Sequence, residues 1–163
     1  MFDHAPPDVD DAVYLNHCHW MSRAIALAGE AGDAGDVPVG AVVVDERGQL
    51  IAAASNRKER DSDPTAHAEI LALRAAGRAL QTWHLDRCTL YVTLEPCPMC
   101  AGAIVQARLG LLVYGADDPK TGTIRTVANI PDSPCSNHRL SVLAGIAESA
   151  CRQQLQSWFA RRR

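Results

Sequence analysis

Hydrophobic and polar positions alternate along this chain with two different periods. From Val13 to Ala31, Trp20, Ala24, Leu27 and Ala28 recur at spacings of three and four, which predicts an amphipathic helix. Gly32, Gly35 and Pro38 break it. Val39 to Val44 is a β-branched run, Asp45-Glu46-Arg47-Gly48 a turn, and Gln49 to Ala54 a returning strand, so a hairpin is expected. After a polar loop from Ser55 to Asp63, Pro64-Thr65 is expected to open a helix reaching Leu80, with Ile70, Leu71 and Leu73 as its apolar residues. Thr89 to Leu94 reads as a strand, and Glu95 to Cys100 as a turn into a helix ending near Ala107. Leu111 to Tyr114 reads as another strand. Residues 116–137, rich in Asp, Gly, Pro and Thr, read as a long loop; Leu140 to Leu143 is expected to be the last strand and Glu148 to Phe159 the last helix. Strands alternating with helices predict an α/β fold, a sheet flanked by helices. The acidic, proline-containing residues 1–12 read as a flexible tail, leaving 13–163 as a single domain.

Composition narrows this picture. The 163 residues amount to one domain, and 47% hydrophobic with 21% charged residues marks a globular chain. No apolar run approaches the ~18 residues of a membrane span. The N-terminal Met-Phe-Asp-His-Ala-Pro-Pro-Asp lacks the basic segment and apolar stretch of a secretory leader, so a soluble cytoplasmic protein is expected. A net charge of −3 excludes a generally basic nucleic-acid binder and leaves only a local patch for such a role. Charge is polarised: four Asp fall within residues 1–12 and four Arg within 152–163. With no leader, the six cysteines are expected reduced, which turns attention to metal or catalytic use.

Two short motifs carry chemistry. One is His67-Ala68-Glu69; the other is Pro96-Cys97-Pro98-Met99-Cys100. One His and two Cys make three zinc ligands and leave a fourth tetrahedral position for water, whose pKa zinc lowers toward ~7. Glu69, two residues from His67, is placed to move that water's proton. Residues i and i+2 diverge on a helix body. The expectation is therefore that His67 and Glu69 sit in a first turn aimed at the metal. Cys97 and Cys100, spaced i and i+3, are expected at a second helix start whose dipole favours thiolates. From this composition H-x-E arises by chance in roughly one chain in five and P-C-x-x-C in roughly one in a hundred, so the pair is far more specific than either. A thioredoxin-like redox pair at Cys97 and Cys100 leaves His67 and Glu69 unexplained. A closed structural zinc site needs a fourth ligand from Cys88, Cys135 or His138, none at finger-like spacing. His17-Cys18-His19 faces different ways on a helix and reads as incidental, and Glu95 reads as structural.

These motifs sit inside longer wordings: Val37-Pro38-Val39-Gly40-Ala41-Val42, Asn56-Arg57, Asp63 to Ile70, Thr89 to Cys97, Met99 to Ala103, Lys120-Thr121-Gly122 and Asn137-His138-Arg139. In them the chain resembles the bacterial tRNA-specific adenosine deaminases, within the cytidine-deaminase-like zinc hydrolases. The resemblance implies a three-layer α/β/α sandwich with a five-stranded mixed sheet, a homodimer, and one zinc ion per subunit held by His67, Cys97 and Cys100. It implies hydrolytic deamination of adenosine to inosine at wobble position 34 of an arginine tRNA anticodon, with Glu69 as the acid/base. By the same carry-over the anticodon stem-loop is the partner. Asn56 hydrogen-bonds the base, Val37, Pro38 and Ala68 border it, and Asp118 contacts the neighbouring ribose. Trp158, Phe159 and Arg161-Arg162-Arg163 match residues that approach the stem-loop. The loop after Gly122 departs from the family, reading Thr-Ile-Arg-Thr-Val in place of small residues. Competing readings are a free-base or nucleoside deaminase acting on guanine or cytosine, and a silent deaminase-like subunit that binds RNA or a partner. The acid/base glutamate, which silent subunits lack, argues against the second.

Overall fold

A computed structural model describes residues 11–163. The elements are α1 (Ala12–Asp33), β1 (Gly40–Asp45), β2 (Leu50–Ser55), α2 (Ala68–Leu80), β3 (Cys88–Leu94), α3 (Pro98–Gln106), β4 (Leu111–Ala116), β5 (Ser141–Ala144) and α4 (Glu148–Ala160). Residues 1–10 of the expected tail lie outside the described residues. Asp11 does not belong to a tail: its side chain accepts from Val13 N at 2.8 Å and caps α1.

The five strands form one mixed sheet in the order β2-β1-β3-β4-β5. The β1–β2 hairpin and the β1–β3 pair are antiparallel, whereas β3–β4 and β4–β5 are parallel. Alternation along the strands divides the core in two. Ala41, Val43, Leu90, Val92 and Leu112 face α2 and α3, where Ala68, Ala72, Ala76, Ala101 and Ile104 meet them. Val42, Val44, Tyr91 and Val113 face α1 and α4, meeting Trp20, Met21, Ala24 and Cys151. The result is the expected three-layer α/β/α sandwich. Small residues let the layers approach closely. At Gly40 an added Cβ would lie 2.0 Å from the Ala24 carbonyl oxygen, so α1 rests on bare backbone there and Gly40→Ala would push the layers apart. Gln154 Nε2 donates to Ile25 O at 3.0 Å and Trp158 Nε1 to Gly32 O at 3.1 Å, fastening α4 along α1. No described helix is long and apolar enough to cross a membrane.

One boundary differs from expectation in a way that matters. The second helix begins at Ala68, not at Pro64. Asp63 Oδ1 accepts from both the N–H and the hydroxyl of Thr65, at 2.8 and 2.7 Å, and folds residues 63–67 into turns. Arg57 N donates to Ala66 O at 3.0 Å and ties those turns to the preceding loop. Side-chain capture of the backbone outcompetes helix extension here.

Candidate active site

That delayed start leaves His67 as the N-cap of α2, extended at φ −72° and ψ 150°, with its side chain free of capping duty. Glu69 falls in the first helical turn. On the same face of the sheet, Cys97 is the N-cap of α3, with Pro98 beginning the helix and Cys100 one turn in. Proline suits that first position because its missing N–H would be unpaired anyway. Two helix N-termini therefore converge.

The donor atoms they carry suit one ion. Cys97 Sγ lies 3.7 Å and Cys100 Sγ 3.5 Å from His67 Nδ1. Tetrahedral zinc bonds to nitrogen and sulfur set that separation at about 3.6 Å. All three donor atoms lie within 4.8 Å of one another, the one such group among the described residues. The set is soft, contains three protein ligands, and matches a catalytic more than a closed structural site. The histidine nitrogen facing the sulfurs is Nδ1.

Electrostatics favour the same use. Their mutual contact drives the two thiols in opposite directions. The Cys100 thiol's hydrogen bond, with a second from His67, lowers the Cys97 pKa to about 4. That same bond to Cys97 and burial push Cys100 upward. A dication would displace the Cys100 proton, since metal binding requires thiolates. His67 is raised by its hydrogen bond to Cys97, with burial opposing. Glu69 is 4% exposed, and burial lifts its pKa from 4.5 to about 7 against the opposing pull of its own N–H, the His67 charge and the Cys100 thiol. A carboxyl with that pKa gains and loses a proton readily near neutrality.

These groups border a cavity of about 150 Å³. Drug-sized pockets run to ~300–1,000 Å³, so this is a small cavity, of a size that suits a single heterocycle. Of the residues expected around a base, Val37, Asn56, Ala68 and Asp118 line it together with His67, Glu69 and Cys97. Cys100 is fully buried behind them. Pro38 is not among the lining residues; it is buried close to Gly32 and Trp158. Phe159 is also absent from the lining, standing 46% exposed on α4, while its neighbour Trp158 is buried against α1. Val39, Lys58, Leu94 and Thr121 line the cavity without having been singled out from the sequence. Lys58 and Thr121 each lie within three residues of an expected contact, the signal that was available.

The far wall is a loop organised by Glu95. This side chain is 1% exposed. Its Oε1 accepts from Ile124 N at 3.1 Å, Arg125 N at 2.8 Å and Thr126 N at 3.0 Å. Its Oε2 accepts from Asp118 N at 3.0 Å and from the Thr126 hydroxyl. Burial alone would raise Glu95, but these donors hold it below its usual 4.5. A Cβ at Gly122 would sit 2.3 Å from Oε2, so the chain needs glycine to pass. The unusual Thr-Ile-Arg-Thr stretch is thus the wrapping of a buried carboxylate. Outside it, Arg125 pairs with Asp117 at 3.1 and 3.0 Å. Asp118 accepts from Lys120 N, Thr121 N and the Thr121 hydroxyl at 2.9, 3.2 and 2.7 Å. With roughly four lone-pair sites on a carboxylate, this leaves it about one for a ligand.

Known proteins agree with this chemistry. The MafB19-like deaminase model matches residues 15–154. The tRNA-specific adenosine deaminase of Haemophilus influenzae is 46% identical over 143 residues, 88% of this chain and 83% of that one. A solved structure from work on A-to-I editing by tRNA:A34 deaminases at the wobble position superposes with a TM-score of 0.81 at 44% identity, covering 84% of this chain and 99% of that one. The guanine deaminase of Nitrosomonas europaea superposes with a TM-score of 0.74 at 26% identity, covering 98% of both chains. With a family model spanning most of its length and a His-Cys-Cys triad set beside a buried glutamate, the chain belongs to the MafB19-like deaminases.

Proposed function

We propose that the protein is a tRNA adenosine deaminase, a hydrolase converting adenosine at wobble position 34 of the anticodon to inosine. The carrying observation is the His67-Cys97-Cys100 triad beside Glu69 in a cavity of one base's size. The relatives support the substrate: identity is 46% to a tRNA-specific adenosine deaminase against 26% and 33% to two guanine deaminases. In this reading residues 11–163 act as one deaminase domain in the cytoplasm, with zinc as the metal and an arginine tRNA as substrate.

When bound, zinc on three protein ligands supplies a water with pKa lowered toward ~7. Glu69 would accept a proton from the water and pass it to ring nitrogen N1 of adenine as the C6–O bond forms, then take a second proton from the new C6 hydroxyl and deliver it to the departing amine. The C6–N bond breaks, a C6–O bond replaces it, and water and adenosine become inosine and ammonia. Asn56 hydrogen-bonds the base, Val37 and Ala68 shape its surroundings, and Asp118 meets the adjacent ribose. A base enters such a cavity only when splayed from its loop, as single-stranded RNA readers require. Phe159 and Arg161-Arg162-Arg163 meet the anticodon stem-loop. The protein is a homodimer, joined through the apolar groove of about 480 Å³ bordered by Ile70, Leu73, Trp83, Ala103 and Ala107, where Trp83 stands 61% exposed.

The test is incubation of metal-replete protein with an A34 anticodon stem-loop, followed by nucleoside analysis. Inosine is expected; conversion of free guanine with no inosine from RNA would replace this reading with the purine-base one. Cys97→Ala is expected to lose metal and activity together. Replacing Phe159 by Ala and the three terminal arginines by Gln is expected to weaken RNA binding and flatten its salt dependence. Trp83→Glu is expected to shift sedimentation from dimer to monomer.

A further inference from the structure

The segment from Asn56 to Asp63 brings Asn56 and Lys58 to the cavity, yet it lies in neither a helix nor a strand. Its anchor comes from the other loop. Asp36, just after α1, is 0% exposed. Its Oδ1 accepts from Glu59 N at 2.6 Å and its Oδ2 from Arg60 Nε at 2.7 Å. Arg60 Nη2 then donates to Asn56 O at 2.8 Å. Asn56 Nδ2 donates to Val37 O at 3.1 Å, closing a ring onto the residue that follows Asp36. Lys58 N donates to Asn56 Oδ1 at 3.2 Å, and Asn56 N donates to Val39 O at 2.9 Å. Every polar group of Asn56 is therefore set by a neighbour. Its amide still keeps one N–H and one lone pair, a donor and an acceptor, for a ligand.

Asp36 is fully buried while Arg60 keeps 27% of its side chain open to solvent, and burying a carboxylate is a costly way to hold two loops together where an apolar contact would serve adhesion as well. What the Asp36–Arg60 pair supplies beyond adhesion is direction: a planar guanidinium bridges a carboxylate and a chosen carbonyl with fixed geometry. We infer that Asp36 and Arg60 are positioning residues that fix the orientation of Asn56 and, through it, the seating of the base. The inference rests on the tRNA deamination reading. Neither residue touches the cavity, and neither lies near the metal ligands in sequence.

A double-mutant cycle separates direction from adhesion. Holoenzyme variants Arg60→Ala, Asn56→Ala and the combination are compared for KM and kcat on the A34 stem-loop, for metal content and for melting temperature. Arg60→Ala is expected to raise KM roughly tenfold with metal content unchanged, the scale of one lost charge-assisted hydrogen bond. The combined variant is expected to be no worse than Asn56→Ala alone, because Arg60 acts through Asn56. Arg60→Lys, which can still pair with Asp36 but lacks the fork that also reaches Asn56 O, is expected to restore melting temperature more than KM. Losses that multiply in full across the cycle, or a drop in melting temperature with KM unmoved, would overturn the inference. If Arg60→Ala does not fold, the cycle is run with Arg60→Lys. An inactive wild type sinks the tRNA reading and this inference with it, whereas an active wild type with independent losses sinks the inference alone.

Discussion

Glu69 and Glu95 border the same cavity and are almost equally hidden, at 4% and 1% exposure, yet their surroundings drive them in opposite directions. Glu69 meets few donors, and burial raises its pKa to about 7. Glu95 accepts from four backbone N–H groups and a hydroxyl, and stays below 4.5. Depth and donors separate them together: Glu69 lies deeper among protein atoms with few donors and can carry protons, whereas Glu95, with five donors, is an anion around which a loop is built.

The sharpest way to break this contrast is to neutralise each in turn. Glu69→Gln is expected to keep its metal, since all three ligands remain, and to lose inosine formation by ~10²–10⁴-fold or more. Near-normal turnover would remove it from proton transfer. Glu95→Gln puts an amide against N–H groups and leaves at least one unpaired. A loss of about 2–4 kcal/mol in unfolding free energy is expected, measured by urea titration. Loss of activity at unchanged stability would erase the distinction between the two residues.

The pH dependence of stability sharpens it further. Glu95 has a folded pKa below its unfolded value near 4.5, so its contribution is full above 4.5 and is lost as pH falls through the folded value. Melting temperature is expected to fall as the medium is acidified below 4.5, and to fall less steeply in Glu95→Gln. The smallest effect concerns Thr126. Removing its hydroxyl in Thr126→Ala leaves four donors on Glu95 and is expected to cost about 1 kcal/mol. A cost as large as that of Glu95→Gln would mean that one bond, not the set, holds the loop.

Which parts of the site were legible follows from the range of the interactions involved. The hairpin, the alternating strands and the cysteine-bearing start of α3 depend on neighbours within a few residues, and the sequence marks them with β-branched runs, Pro98 and cysteine spacing. The start of α2 was misplaced because Pro64-Thr65 resembles a helix opening, while Asp63 diverts that stretch into turns. Glu95 reads correctly as structural, but its partners, and the whole role of Asp36, are hidden for a deeper reason. Acids are read as exposed by default, and their donors lie 23 to 31 residues away along loops without periodicity. Trp158 and Phe159 read alike as an aromatic pair; only the packing of α4 on α1 separates a core residue from an exposed one.

The wrapping of Glu95 has a consequence for motion. Residues 118–126 have no ladder of their own, and by secondary structure their amides would trade protons with solvent within moments. Four of them instead end on one interior anion, so Asp118, Ile124, Arg125 and Thr126 should resist deuterium uptake as strongly as strand residues do. What looks on paper like a floppy connector would then move as part of the rigid body of the molecule.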